Sequence, residues 1–465
     1  MKKILATILA LVLALGLCTV SWADAAEVKT AEELATAVSN GGEIKLAGSF
    51  ELSKILEIKD GKRVTIDLNG NTLTAKDNLA TAIKVSNGYL IVKNTATTNG
   101  KVVATGEAFR LAGNNNPATW ASTSTPAELV IEKGVEVESG GDCSVYLYGK
   151  GAKVDVYGKL VSKGIYATIQ GQGSIDSKQN NSGTEIVIHE GAEVIHTGAA
   201  GAIYHPQVGT LTVMGGTITG GDVAIEIRRG TLNISGGTFT SNSDTFMCAP
   251  NTSPTSGSTA SGVAVAIAPH GAVGELGKEV KVNITGGTFN GIYGLYQADP
   301  DNRTEQGVSI GIDISNGKFV STGTYTQGDT VYGGAVYSAD VDNFITGGTF
   351  SSDVSAYAGS NAVASLKNVY YVGTDSIEAA VNSMNGGDTL TVVKGEVTIN
   401  GTKYSKESNV TYTKPTSYYY YSPSTTTPDT TTKGSPKTFD AGVGIYAVTA
   451  VLSVTGMAWT AKKRH

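Results

Sequence analysis

TLTVMGGTITG at residues 210–220 and TLNISGGTFTS at residues 231–241 are one phrase written twice, 21 positions apart. Each copy is an alternating strand, a glycine corner and a second short strand. Alternation with period two puts Leu232 and Ile234 on one face and Thr231 and Asn233 on the other. Past the Gly236-Gly237 corner, Phe239 points to the apolar side again. KVNITGGTFNG (281–291), GIDISNGKFVS (311–321) and NFITGGTFSS (343–352) repeat the phrase downstream. Weaker versions precede it: RVTIDLNGNTLT (63–74), ELVIEKGVEVES (128–139), KVDVYGKLVS (153–162) and EIVIHEGAEVIHTG (185–198). One such unit cannot bury its apolar face, but stacked coils can, with parallel strand pairing between them.

Composition agrees. Fifty-nine glycines and only 16% charged residues, with abundant Val, Ile and Thr, suit short strands and frequent corners. The pattern is similar to the right-handed parallel β-helix of pectin-lyase-like proteins, and to surface proteins of gut Firmicutes. The expected fold class is therefore all-β, a right-handed parallel β-helix (β-solenoid) over residues 26–400 with a short capping helix. A β-sandwich array is the alternative, because its strands also alternate.

The open ends of a solenoid need covers. Thr30-Ala31-Glu32-Glu33 reads as a capping box, with Leu34, Ala37 and Val38 as an apolar stripe. Asn40-Gly41-Gly42 ends that helix, and residues 27–46 form the N-terminal cap. The unit returns at Asp375-Ser376-Ile377-Glu378, with Ile377, Val381 and Met384 as the stripe and Asn385-Gly386-Gly387 as the stop. Residues 374–400 are a C-terminal cap or a small module.

Both termini carry addresses. Met1-Lys2-Lys3 and the apolar run 4–20 are a basic n-region and an h-region. Ala23-Asp24-Ala25 fits a small-x-small cleavage site, so residues 1–25 read as a signal peptide, with Ser21-Trp22-Ala23 as an alternative site. Leu17 before Cys18 is too large for a lipobox. At the other end, residues 401–434 are rich in Ser, Thr, Pro and Tyr, lack apolar periodicity and read as a disordered stalk. Residues 441–461 hold no charge; as a helix they span about 30 Å, the thickness of a bilayer's hydrocarbon core. Trp459 suits the interface, and Lys462-Lys463-Arg464-His465 forms a cytoplasmic stop.

Residues 435–465 resemble a Gram-positive cell-wall sorting signal: an LPxTG motif, a hydrophobic segment and a basic tail. Pro436, Lys437 and Thr438 match P-x-T, whereas Ser435 and Phe439 stand in place of the Leu and Gly. The resemblance implies a sortase-like transpeptidase that cleaves after Thr438 and joins it to peptidoglycan. If Phe439 blocks cleavage, the helix remains an anchor in the cytoplasmic membrane. Either way the body of the protein is extracellular, at the cell surface.

Charge limits the partners. The two terminal segments, 1–25 and 439–465, carry +1 and +2, which leaves −9 for the rest of a chain whose total is −6. Nucleic acid is therefore excluded as a direct partner. A polysaccharide or host-surface ligand remains. Cys143 and Cys248 read as small buried hydrophobes, with a disulfide between them as the alternative.

Chemistry-bearing motifs are few. The sequence has no Asp-Asp pair, His-Glu-x-x-His or P-loop. Pro269-His270-Gly271 is only a faint echo of the Gly-His-Gly of polygalacturonases. His189, His196 and His205 are spaced too irregularly for a metal site. No catalytic or metal-ligating residue is assigned.

Two insertions break the period, at residues 247–261 and 299–307, and loops on a rigid scaffold often carry binding. Candidate binding residues are Glu226 and Arg228, on one face of a strand, where an exposed ion pair is the plain reading. Asp299 and Asp301 are the others. With Glu305 they are the one place calcium would find oxygens, although their spacing is not that of an EF-hand and an exposed acidic turn accounts for them. No other cofactor is implied. The expected function is a non-catalytic surface solenoid: adhesin, glycan-binding or structural. The alternative is an extracellular polysaccharide lyase or glycoside hydrolase with dispersed residues.

Overall fold

Each coil of the chain makes three strands, one more than the repeated phrase shows. Gly209–Val213, Thr217–Gly220 and Val223–Ile227 form one coil, and Gly230–Ile234 opens the next. The structure, a computed structural model, describes residues 25–112, 126–173, 180–250, 259–269, 278–399, 401–406 and 411–413. Within these, corresponding strands stack into three long sheets of 11, 15 and 10 strands. We call them the first, second and third sheets, in the order in which each coil visits them. All pairings in the first and third sheets are parallel, as are those of the second up to Gly348–Phe350. This is a parallel β-helix, and the β-sandwich alternative is overturned.

Register explains why the coils stack. Leu211 pairs with Leu232 and Val213 with Ile234 in the first sheet, and Ile218 with Phe239 in the second. Like therefore meets like along the axis, and these side chains are at most 1% exposed. Each such Val, Leu, Ile or Phe gains about 1.5–3 kcal/mol from burial. Toward the C-terminal end the second sheet's inner column becomes phenylalanine. Phe239, Phe289, Phe319 and Phe350 stack at centroid distances of 4.8, 4.4 and 5.2 Å, with planes within 11° of parallel. The GGT corner positions this column. Gly237 has φ +105°, and a Cβ there would sit 3.1 Å from the backbone of Gly215 in the coil below.

The N-terminal cap is as the sequence predicts. Helix α1 (Ala31–Asn40) begins at Thr30, whose hydroxyl accepts from the Glu33 amide, and Glu33 Oε2 accepts from the Lys29 amide at 2.7 Å. Leu34 and Val38 are buried against the first coils. The C-terminal unit differs. Helix α2 (Thr374–Ser383) starts after Gly373 with no side-chain cap, and Ser376 instead accepts from the amide of Gly348. It packs on an antiparallel extension of the second sheet, made by Val363–Leu366, Val369–Val372, Thr389–Lys394 and Thr411–Thr413. This unit has its own core, including Leu366, Ile377, Met384 and Leu390. It is a cap and a module at once.

One boundary moves. Strands Thr402–Ser405 and Thr411–Thr413 pair with Glu396–Ile399 and Thr389–Lys394, so the first residues of the stalk belong to the module. Alternation over TKYS and TYT is too short to stand out in sequence. Residues 1–24 of the expected signal peptide, the rest of the expected stalk, Pro436, Thr438, Phe439 and the apolar run 441–461 lie outside the described residues. Among the described residues no helix is long and apolar enough to cross a membrane.

Candidate functional site

The third sheet is where the solenoid departs from its repeat. Its inner positions are mostly apolar, as at Phe109, Val145, Ile169 and Ile225, with His205 an exception, but its outer positions change chemistry from coil to coil. In register, Lys84 lies beside Arg110, Arg110 beside Tyr146, Tyr146 beside Gln170, and Gln170 beside Tyr204. The column continues through Glu226, Ala266, Tyr296 and Tyr337. Neighbouring strands lie about 4.8 Å apart, so this is one ladder of side chains along the axis.

Near its start the ladder opens into a cavity of 320 Å³, lined by Glu107, Arg110, Asp142, Tyr146, Tyr166, Gln170 and Gln172. Glu107 is 5% exposed and fully engaged. Both of its oxygens receive Arg110, with Nε at 2.7 Å, and Oε2 also accepts the Thr81 hydroxyl at 2.6 Å. The Arg110 guanidinium lies over the rings of Tyr146 and Tyr148, at 5.1 and 5.7 Å from their centroids. Burial pushes the Tyr146 phenol up, so it stays a protonated donor. Burial also raises the Asp142 carboxyl, and the neighbouring Glu107 charge adds to that. Gln170 is held at both ends, accepting from the Ala167 amide and donating to the Gly171 carbonyl. On the rim, Tyr166 is 40% exposed, and its chain neighbour Ile165 is 77% exposed.

Farther along, the ladder is roofed. Glu226 and Arg228 are expected to form an exposed ion pair; both are instead fully buried. Arg228 Nε donates to Glu226 Oε1 at 2.6 Å, and Nη2 reaches both Glu226 and the Thr259 hydroxyl. The Thr259 amide in turn donates to Glu226 Oε2 at 3.1 Å. Asp301 Oδ2 stands 3.8 Å from Arg228 Nη1. Burial works against the Arg228 cation, and the Glu226 carboxylate more than reverses this, so its pKa rises. Thr259 belongs to the first period-breaking insertion and Asp301 to the second. Both insertions close on one arginine, which is why sequence alternation misjudged its exposure.

Asp299 serves elsewhere. Its two oxygens accept from the amides of Arg303 and Thr304 and from the Thr304 hydroxyl, which folds the acidic turn on itself. Asp299 and Asp301 thus face different partners, and among the described residues no group of three His, Cys, Asp or Glu side chains is arranged to hold a metal ion.

The histidines separate into three structural tasks. His189 pairs with Asp155 at 2.8 Å and stacks on Tyr157 at 3.7 Å. His196 accepts from the Gly198 amide, and its Nε2 meets the Gly164 carbonyl. His205 points into the solenoid interior, where burial lowers its pKa to about 4. Cys143 and Cys248 are free thiols, so no disulfide joins them. Burial raises both, Cys248 to about 12.

The cavity residues escaped the sequence reading. The strands Glu107–Leu111 and Val145–Leu147 carry Arg110 and Tyr146 at equivalent positions, but residues 113–125 separate the two coils and hide the period. The short runs EAFRL and VYL are the only signal. Comparison of the chain with family models, curated proteins and solved structures gave no match.

Proposed function

We propose that this chain is a non-catalytic β-solenoid displayed on the surface of a Gram-positive cell, where it binds glycan on the outer face of its third sheet. The observation that carries the reading is the cavity at Arg110, Asp142 and Tyr146. It joins aromatic faces to convergent polar groups on a rigid sheet, the combination that small-molecule sites use. The first and second sheets, by contrast, present Thr210, Thr231, Thr217 and Thr238 in register over successive coils. The export signal and the sorting signal at the termini support display at the surface. A sortase-like transpeptidase joins Thr438 to peptidoglycan in this reading, or the 441–461 segment stays in the membrane.

One observation favours the second reading, a polysaccharide lyase or glycoside hydrolase. Asp142, with its raised pKa, shares a cavity with an arginine and a second carboxylate. Hydrolysis, however, asks two carboxyl groups about 5–10 Å apart to work on one bond. Glu107 is committed to Arg110 and Thr81, which leaves Asp142 alone for proton transfer.

One preparation tests both. Purified full chain is incubated with a panel of polysaccharides, with and without calcium. Retention of a glycan without release of reducing or unsaturated ends is the expected result. Release of either, abolished in Asp142→Asn, establishes the enzyme instead. Display is read separately by mass spectrometry of wall digests. A fragment ending at Thr438 and bearing peptidoglycan is expected for covalent attachment, whereas intact 439–465 in the membrane fraction identifies the membrane anchor.

A further inference from the structure

We propose that the cavity on the third sheet takes a neutral saccharide unit, stacked on Tyr166 and hydrogen-bonded to Asp142; this rests on the glycan-binding reading above. Charge argues for the neutral class first. Arg110 is the one cation among the lining residues, and it is already neutralised by Glu107 through two hydrogen bonds. A sugar carboxylate or sulfate entering the cavity would meet Asp142 and Glu107 with no cation left to pair with it. Like charges at close range in a half-buried site are strongly unfavourable.

Hydrogen-bond supply gives the same answer. Gln170 is satisfied by backbone groups and acts as wall. Asp142 is half-buried, and its amide donates to the Ser139 hydroxyl at 3.3 Å, which fixes its backbone on the cavity side of the coil. Its carboxylate receives the amide and thiol of Cys143, and its remaining acceptor sites suit hydroxyl donors, which every neutral sugar carries in number. The rim supplies the apolar half of the contact. Tyr166 and Ile165 are the exposed large side chains of the short turn between the second and third sheets. An exposed ring beside a polar cavity matches the amphipathic faces of a pyranose.

Size sets the extent. At 320 Å³ the cavity is at the small end of ligand sites, which run from about 300 to 1,000 Å³. It therefore reads a chain end or a short segment. A long polymer groove would need the ladder to stay open, but it is roofed at Glu226 and Arg228.

The test is isothermal titration of the full chain with cello-, manno-, galacto- and N-acetylglucosamine oligomers and with oligogalacturonate. At least one neutral oligomer should bind. Tyr166→Ala should weaken it about tenfold or more, Asp142→Asn should weaken it as well, and Tyr157→Ala, exposed on the turn between the first and second sheets, should leave it unchanged. Matching circular dichroism melts check that all three variants fold. Binding of a neutral oligomer that ignores both Tyr166→Ala and Asp142→Asn overturns the site while sparing the glycan-binding reading. Tighter, salt-sensitive binding of oligogalacturonate overturns the neutral class. No binding of any oligomer by the wild type overturns both.

Discussion

Arg228 keeps its charge where no solvent reaches it, and its partner is the reason. Removing Glu226 leaves the buried guanidinium without its hydrogen-bonded partner and with only the more distant Asp301 against its charge, which costs about 3 kcal/mol. Glu226→Ala should therefore lower the melting temperature clearly, and limited proteolysis should cut at residues 247–261 and 299–307 first. The double variant Glu226→Leu with Arg228→Met should recover much of the loss, because it removes both charges together. If Glu226→Ala melts with the wild type, the ion pair does not hold the insertions. His205 makes a second prediction at this scale. Its pKa is about 4 folded, against 6.5 for the exposed ring, because burial disfavours the cation. Between those values the unfolded chain binds a proton that the folded chain refuses. Stability is thus intact above about pH 6.5 and falls as pH drops toward 4, by about 3 kcal/mol in full. Urea midpoints measured at pH 7 and pH 4.5 should differ less in His205→Leu than in the wild type; equal differences would show that His205 titrates normally.

At the level of strands, the Phe239-Phe289-Phe319-Phe350 column is a chain of nearest-neighbour contacts. Phe289 has a ring above and a ring below. Phe289→Ala should cost about 3–5 kcal/mol, and more than Phe350→Ala, which loses one stacking neighbour instead of two; denaturant midpoints rank them. The reverse order would mean that local collapse, not stacking, sets the cost. The first and second strands of each coil were legible because one face is wet: TLNI and TFTS alternate since Thr231, Asn233 and Thr240 meet solvent. The third strand was not, except at the one segment that carries Glu226 and Arg228. Val223–Ile227 and Val263–Ile267 are buried at every position, and VAVAI shows no alternation to read. The module strands near Thr413 escaped for another reason, being three or four residues long.

For the whole molecule, the repeat was enough to predict the architecture, because axial stacking of like residues is a one-dimensional rule. The candidate site was not legible in the same way. Arg110 comes from one coil and Asp142 and Tyr146 from the next, and the register of the third sheet brings them together. Glu226 and Arg228 were visible as a pair, but Thr259 and Asp301 arrive from insertions 31 and 73 positions beyond Arg228, and no local pattern announces them. The coils also have a mechanical meaning. Hydrogen bonds between coils run along the axis, and each coil touches only its neighbours. Tension applied between the first coil and the last would therefore peel coils off in sequence, each giving up a few bonds and a length of slack. A solenoid of this kind yields as a ratchet of small extensions, a shock absorber where a single globule of equal size would snap open at once.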